Sequence, residues 1–147
     1  MDEIIASAMN HWESKKANCA QTTASGILDF YKHNEGSQIL YKAFTTFGGG
    51  LGERTVCGSL IGAMGALNLL LAERGLSYKE IAEKTKELKA IFREEFGTLK
   101  CRILLDEFRK ADGQYDMSHP ERRPKCTKTV EIAVTGVQQI IDGLSDE

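Results

Sequence analysis

Apolar residues recur at steps of three and four positions along most of the 147-residue chain. This step is the period of one face of an α-helix, and no run alternates apolar and polar residues over a convincing strand length. We therefore predict an all-α fold, a compact, bundle-like arrangement of about six or seven helices. The length fits one domain, residues 1–147, that buries a core without covalent staples.

Caps and breaks in this pattern predict where the helices begin and end. Ser, Thr and Asn favour helix starts, glycine favours helix ends, and a Ser-x-x-Glu box marks a start strongly. The first half of the chain is predicted to form a helix over about Asp2–Ser14, a second from Asn18 to the turn at 33–36, and a short third helix capped by Ser37. A fourth helix is predicted from Cys57 to Gly75, a fifth from Ser77 to Gly97 and a sixth from Thr98 through Phe108. An exposed loop over 110–124 then leads to a last helix with Cys126 at its start.

Glycine is concentrated in one segment, residues 47–54, with Gly48, Gly49, Gly50 and Gly52 close together. Four glycines in five positions predict a loop, because their backbone entropy opposes a helix. Such a loop could let its backbone approach a cluster, an anion or another thiol, or it could form a sharp turn before a helix. No Gly-Lys-Ser/Thr follows, which excludes a nucleotide P-loop.

The helix after this loop carries a stripe of small residues, Gly58, Gly62 and Ala66, at four-residue steps. Such a stripe predicts close approach of another helix backbone. Because a glycine-lined helix often packs against a second copy, we also predict a homodimer.

The four cysteines, Cys19, Cys57, Cys101 and Cys126, are widely spaced and include no Cys-x-x-Cys pair. This spacing excludes the thioredoxin motif, paired zinc knuckles, bacterial ferredoxin spacing and c-type haem attachment. Each cysteine falls near a predicted helix start, where free N–H groups and the helix dipole favour a thiolate. The sequence thus predicts low thiol pKa values, strengthened wherever the neighbouring basic side chains face the sulfurs: Arg54, Lys100, Arg102, Arg122, Arg123 and Lys125. The alternative is four inert core cysteines.

The charge balance is nearly neutral, with 19 basic and 21 acidic residues and a formal net charge of −2. No strongly basic run exists, so we expect no nucleic-acid partner. The longest apolar stretch, residues 60–72, is too short to cross a membrane, and we expect no membrane partner. The acidic start lacks a secretory signal, which predicts a cytoplasmic protein with reduced cysteines.

Several segments together resemble the C-GCAxxG-C-C family, which is named for its cysteines and described as redox-active. They are residues 18–21, 47–52 and 57–63, followed by one cysteine at 101 and another at 126. The resemblance covers nearly the whole chain and implies a redox or metal-cluster role for the four cysteines. Gly58 and Gly62 match the glycines of the central motif, whereas Ser59 stands where the family usually has alanine.

Three functions remain open from the sequence. In the first, the four cysteines hold an iron–sulfur cluster, or less favourably zinc, and serve electron transfer or sensing with a redox partner protein. The ligands are Cys19, Cys57, Cys101 and Cys126. The backbone near the cofactor comes from Gly48, Gly49, Gly50, Gly52 and Gly58. In the second, no metal binds, and Cys57 and Cys19 act as thiol–disulfide redox groups. In the third, the protein is a helical interaction module and the cysteines have no chemical role.

Overall fold

The computed structural model describes residues 2–144; Met1 and residues 145–147 of the predicted domain lie outside the described part. Its α-helices are α1 (Asp2–Glu13), α2 (Cys19–Phe30), α3 (Asn34–Ala43), α4 (Gly58–Glu73), α5 (Tyr78–Phe96), α6 (Cys101–Leu104) and α7 (Arg122–Leu144). A π-helical turn spans Gly50–Arg54, within the predicted glycine loop, and the predicted sixth helix ends in a 3₁₀ turn over Asp106–Phe108. Within these residues there is no strand, only two isolated bridges. The prediction of an all-α fold is confirmed. None of the helices in the described range combines the length and apolar character needed to span a bilayer.

Helix α2 lies at the centre of the bundle, against α1, α3, α4 and α7. It is mostly buried, and it includes buried polar residues such as Thr22, Thr23 and Ser25. The hydroxyls of Thr23 and Ser25 are bonded to backbone, as buried polar groups usually are, whereas the Thr22 hydroxyl has no partner among the described residues. Thr23 Oγ1 donates to the carbonyl oxygen of Ser59 in α4 (2.9 Å), and Ser25 Oγ donates to that of Ser37 in α3 (3.0 Å).

The small-residue stripe of α4 packs within the chain. A Cβ at Gly62 would overlap the carbonyl oxygen of Ala20 and the hydroxyl of Thr23. A Cβ at Gly58 would overlap the sulfur of Cys19. Helix α2 therefore occupies the groove that the stripe offers. The homodimer stays a prediction, and the stripe no longer supports it.

The third helix begins earlier than predicted. Its N-cap is His33, whose Nδ1 accepts the backbone N–H of Gly36 at 2.9 Å. Ser37 lies inside α3, and its backbone N–H already bonds the carbonyl oxygen of His33. The prediction that Ser37 caps this helix was wrong, because the imidazole of His33 supplies the capping acceptor one turn earlier.

The boundaries of the last two helices also differ from the prediction. Lys100, with no side-chain cap bond, precedes the short α6, whereas Thr98 only accepts the N–H of Lys100 (3.0 Å). Helix α7 begins at Arg122 and includes Pro124 in its first turn. Proline is tolerated there because the first-turn N–H groups have no intrahelical partner. Cys126 consequently lies in the second turn of α7 and not at its start.

Candidate functional site

All four cysteines line one cavity of about 450 Å³. Cys19 is the first residue of α2, Cys57 directly precedes α4, and Cys101 is the first residue of α6. Cys126 reaches the cavity from α7. The fold thus brings together four thiols that are far apart in the sequence, a convergence that the spacing alone left open. We call this space the cysteine cavity.

Cys19 is placed by a capping box at the start of α2. The Asn18 side chain accepts the N–H of Gln21 (2.8 Å), and Gln21 Oε1 accepts the N–H of Asn18 (2.9 Å). Asn18 Nδ2 also donates to the carbonyl oxygens of Phe44 and Thr45, both at 3.0 Å. One residue therefore fixes both the first turn of α2 and the segment that leads into the glycines.

The glycine segment forms an irregular left-handed turn, as the predicted loop requires. Gly49, Gly50 and Gly52 all have positive φ, as does Leu51 between them. Positive φ is a conformation that glycine adopts without steric strain. The backbone of Gly49 hydrogen-bonds the thiol of Cys19.

The five glycines predicted to bring backbone to the cysteines lie in three different places. Gly48, Gly49 and Gly58 line the cysteine cavity. Gly50 is buried behind it, where a Cβ would meet Thr55 and the Cβ of Cys101. Gly52 has nothing within 4 Å of its Cβ position and is exposed. The structure therefore places Gly52 away from the cysteines.

Cys57 and Cys101 are held by a short antiparallel bridge between Val56 and Lys100. The N–H of Cys57 donates to the carbonyl oxygen of Leu99 (2.8 Å), and that of Cys101 donates to the carbonyl oxygen of Thr55 (2.6 Å). Both cysteines follow directly after a bridged residue, so they lie on the same face of the bridge. This pairing sets two thiols from distant segments beside one cavity.

Two arginines point at cysteine sulfurs. Arg54 Nη1 lies 3.8 Å from the Sγ of Cys101, and Arg122 Nη1 lies 3.8 Å from the Sγ of Cys126. Met117 joins the two arginines: Arg54 Nη2 is 3.5 Å from its sulfur, and Arg122 Nε donates to its carbonyl oxygen at 3.0 Å. The sequence drew attention to Arg54 because it stands near Cys57, but its guanidinium bonds Cys101 instead.

A buried hydroxyl pair supports the floor of the cavity. Ser59 Oγ and Thr129 Oγ1 are 2.9 Å apart, and the Thr129 hydroxyl also lies 2.6 Å from the carbonyl oxygen of Cys126. Ser59 is the position where the family usually has alanine. Its hydroxyl is satisfied by Thr129 of α7, so the change adds a bond between α4 and α7 without leaving an unpaired polar group.

The thiol pKa values differ from the prediction. Burial raises the pKa of Cys57 to about 12, although the backbone N–H groups of Ser59 and Leu60 at the start of α4 act in the opposite direction. Burial also raises the pKa of Cys19 and of Cys101, against the opposing effect of Gly49 and of Arg54 respectively. The expected low pKa values were wrong for these three thiols, because loss of hydration outweighs the helix-start N–H groups.

The charged side chains around the cavity are all basic. Arg54, Arg122, Arg123 and Lys125 line it, and no aspartate or glutamate among residues 2–144 does so. Lys100 and Arg102, the other basic residues predicted to act on the thiols, are exposed and lie outside the lining. A cavity with this charge favours an anionic occupant.

Trp12 and Met117 line the same cavity, and neither carries a signal in the sequence that would assign it to the site. Arg123 stacks on the Trp12 ring, with its guanidinium carbon 4.2 Å from the ring centre, and donates to the Trp12 carbonyl oxygen at 2.5 Å. Trp12 has the spacing of an ordinary core residue of α1, and Met117 lies in a loop without periodicity. Only the tertiary fold brings them to the cysteines.

A family comparison fits this arrangement of cysteines. The sequence model of the family described as "Putative redox-active protein (C_GCAxxG_C_C)" matches residues 17–140, a range that contains all four cysteines. The chain belongs to this family. No curated protein and no solved structure matches the chain.

The C_GCAxxG_C_C description names a redox character and no cofactor. Among residues 2–144, no three Cys, His, Asp or Glu side chains are grouped to hold a metal ion. A single tetrahedral zinc with sulfur ligands needs sulfurs roughly 3.8 Å apart, which follows from Zn–S distances of about 2.3 Å. The four thiols surround a shared space without forming a closed site for one ion.

Proposed function

We propose that this C_GCAxxG_C_C protein is a redox protein whose four cysteines together hold an iron–sulfur cluster. The observation that carries the proposal is that Cys19, Cys57, Cys101 and Cys126 all line one cavity. Four thiolates are the ligand set of both common cluster types. The bound cluster would supply one-electron transfer, for exchange with a redox partner protein or for sensing.

The size of the arrangement favours a cluster over zinc. In a 4Fe–4S cluster, each cysteine binds a different iron, so the four sulfurs stand farther apart than around one ion. Four thiols around a cavity of about 450 Å³ suit an occupant larger than a single ion. Zinc is correspondingly disfavoured.

The charge of the lining supports the same choice. Four basic residues line the cavity, and no carboxylate from the described part of the chain joins them: Arg54, Arg122, Arg123 and Lys125. A cluster with four thiolate ligands is an anion, and the arginines that contact Cys101 and Cys126 would stabilise it by charge and by N–H···S bonds. Such contacts to the ligand sulfurs also adjust reduction potential.

The properties of the thiols argue against metal-free thiol–disulfide exchange as the main reaction. Exchange needs a thiolate, and burial raises the pKa of both Cys57 and Cys19, the two candidate redox thiols. A metal deprotonates its thiol ligands outright, so a raised pKa in the metal-free protein does not prevent coordination. The protein's own residues then position the sulfurs and exclude water from them.

The proposal is tested by single Cys→Ser substitution of each of the four cysteines in protein prepared without oxygen. We expect each variant to lose most of the visible absorbance and iron of the wild type, because each thiol is a ligand. Met117→Leu is the matched control, since it removes a sulfur at the cavity without removing a thiol. Equal iron in the wild type and all four Cys→Ser variants would overturn the proposal.

A further inference from the structure

We propose that the cysteine cavity contains a binding site for a small oxyanion, held between the guanidinium groups of Arg54 and Arg122. Both arginines contact the same residue of the loop before α7, Met117. The contacts are 3.5 Å from Arg54 Nη2 to the Met117 sulfur and 3.0 Å from Arg122 Nε to its carbonyl oxygen. Two positive charges are thus held at one residue, Arg54 at its side chain and Arg122 at its backbone carbonyl.

No carboxylate neutralises this arginine pair. Within residues 2–144, neither Arg54, Arg122 nor the neighbouring Arg123 forms an ion pair with an aspartate or glutamate. Lys125, the fourth cation of the lining, has Glu107 at 3.5 Å. Like charges repel more strongly where side chains are partly buried, because water and salt screen them less. In the metal-free protein, where no anionic cluster faces the arginines, an anion between them would reduce this repulsion.

The donors suit an oxyanion in particular. A guanidinium presents five N–H groups in a planar fork that matches the oxygens of carboxylate, phosphate or sulfate. Arg54 and Arg122 each use one Nη1 group on a cysteine sulfur at 3.8 Å, a long contact, and one further nitrogen on Met117. Donors therefore remain on both residues for a ligand.

The position suits a small ligand better than a protein surface. Both arginines are half-buried, and both line the cavity. An anion between them would lie beside Cys101 and Cys126, the two thiols that the arginines contact. This site needs no cluster, so it extends the proposed function without depending on it. A redox reactant bearing an oxyanion group would be bound next to the sulfurs.

In the test, the metal-free protein is titrated with sulfate and with inorganic phosphate at constant ionic strength. Binding is measured by calorimetry and by amide NMR shifts. We expect saturable binding of at least one of the two, with shifts around Arg54 and Arg122. Arg54→Gln and Arg122→Gln should each weaken it about tenfold or more, as expected for loss of a charged hydrogen-bond donor. Arg54→Lys, which keeps the charge but loses the fork, should weaken binding less than Arg54→Gln does.

Two controls make the outcome decisive. Arg102→Gln removes an exposed arginine beside Cys101 that lies outside the cavity, and it should leave binding unchanged. A Cys101→Ser, Cys126→Ser double variant should lose iron but still bind the anion, which separates this proposal from the cluster. The proposal is overturned if neither anion saturates the wild type, or if the Arg→Gln variants at 54 and 122 bind as tightly as Arg102→Gln.

Discussion

The thiol of Cys19 lies against the backbone of Gly58, in the space that a side chain at residue 58 would occupy. The carbonyl oxygen of Phe47 and the Cα of Gly48 crowd the same position, at 3.2 and 3.4 Å from an ideal Cβ. Glycine at 58 therefore allows the starts of α2 and α4 to meet. This contact is what places Cys19 and Cys57 beside the same cavity.

Gly58→Ala should displace the Cys19 thiol and lower the iron content of protein prepared without oxygen. The added methyl group has no free space, so we also expect a loss of about 1–3 kcal/mol in the free energy of unfolding, typical of an overpacked core. Metal analysis and chemical denaturation measure the two effects.

Gly143→Ala is the matched control for this substitution. Gly143 also lies in a helix, and nothing is within 4 Å of its Cβ position. Alanine is the better helix former by roughly 0.5–1 kcal/mol, so this variant should be slightly more stable and keep its iron. Wild-type iron and stability in Gly58→Ala would contradict the close contact between Cys19 and Gly58.

The metal-free thiols should react with iodoacetamide in a defined order. Cys57 and Cys101 are only 6% and 7% exposed, whereas Cys126 is half-buried. Burial also raises the pKa of Cys19, which lowers its thiolate fraction. We expect Cys126 to be alkylated first and Cys57 last, as measured by peptide mass spectrometry after short exposures. If Cys57 were alkylated first, the burial that disfavours metal-free exchange would not hold in solution.

The stability of the metal-free, reduced protein should fall as pH rises above about 9. The pKa of Cys57 is about 12 in the folded protein against an ordinary value of 9.0, so folding favours the protonated thiol. A group with a raised folded pKa stabilises the fold below its unfolded pKa and loses this effect as pH rises toward its folded pKa. Denaturant unfolding at several pH values between about 9 and 12 measures the slope.

Cys57→Ala provides the comparison for this pH dependence. The variant lacks the thiol, so its stability should decline less steeply over the same range, whatever other groups titrate. Parallel slopes for the wild type and Cys57→Ala would show that the thiol is not buried as described.

The fold could be predicted because it depends on local patterns. The three- and four-residue period and the Ser77 capping box describe segments that form helices largely from their own residues. The error at Ser37 arose because two nearby side chains could cap, and the structure uses His33. At Thr98, the helix instead begins after Lys100, which makes no side-chain cap bond. Local sequence does not rank such competitors.

The site could be predicted only in part, for a physical reason. The cysteine motif indicated the four residues that meet at the cavity, and the glycines before Cys57 indicated a turn. The contact between Arg54 and Cys101 depends instead on the bridge between Val56 and Lys100, which joins segments far apart in the chain. The thiol pKa values depend on burial, which only the complete fold determines.

The most direct measurement is the content of iron, zinc and acid-labile sulfide per chain, together with the visible spectrum, in wild-type protein purified without oxygen. It decides whether the four cysteines hold a cluster. We predict iron and sulfide together, with visible absorbance that is lost when Cys57 is replaced by serine. Zinc alone, or no metal with four titratable thiols, would contradict the cluster.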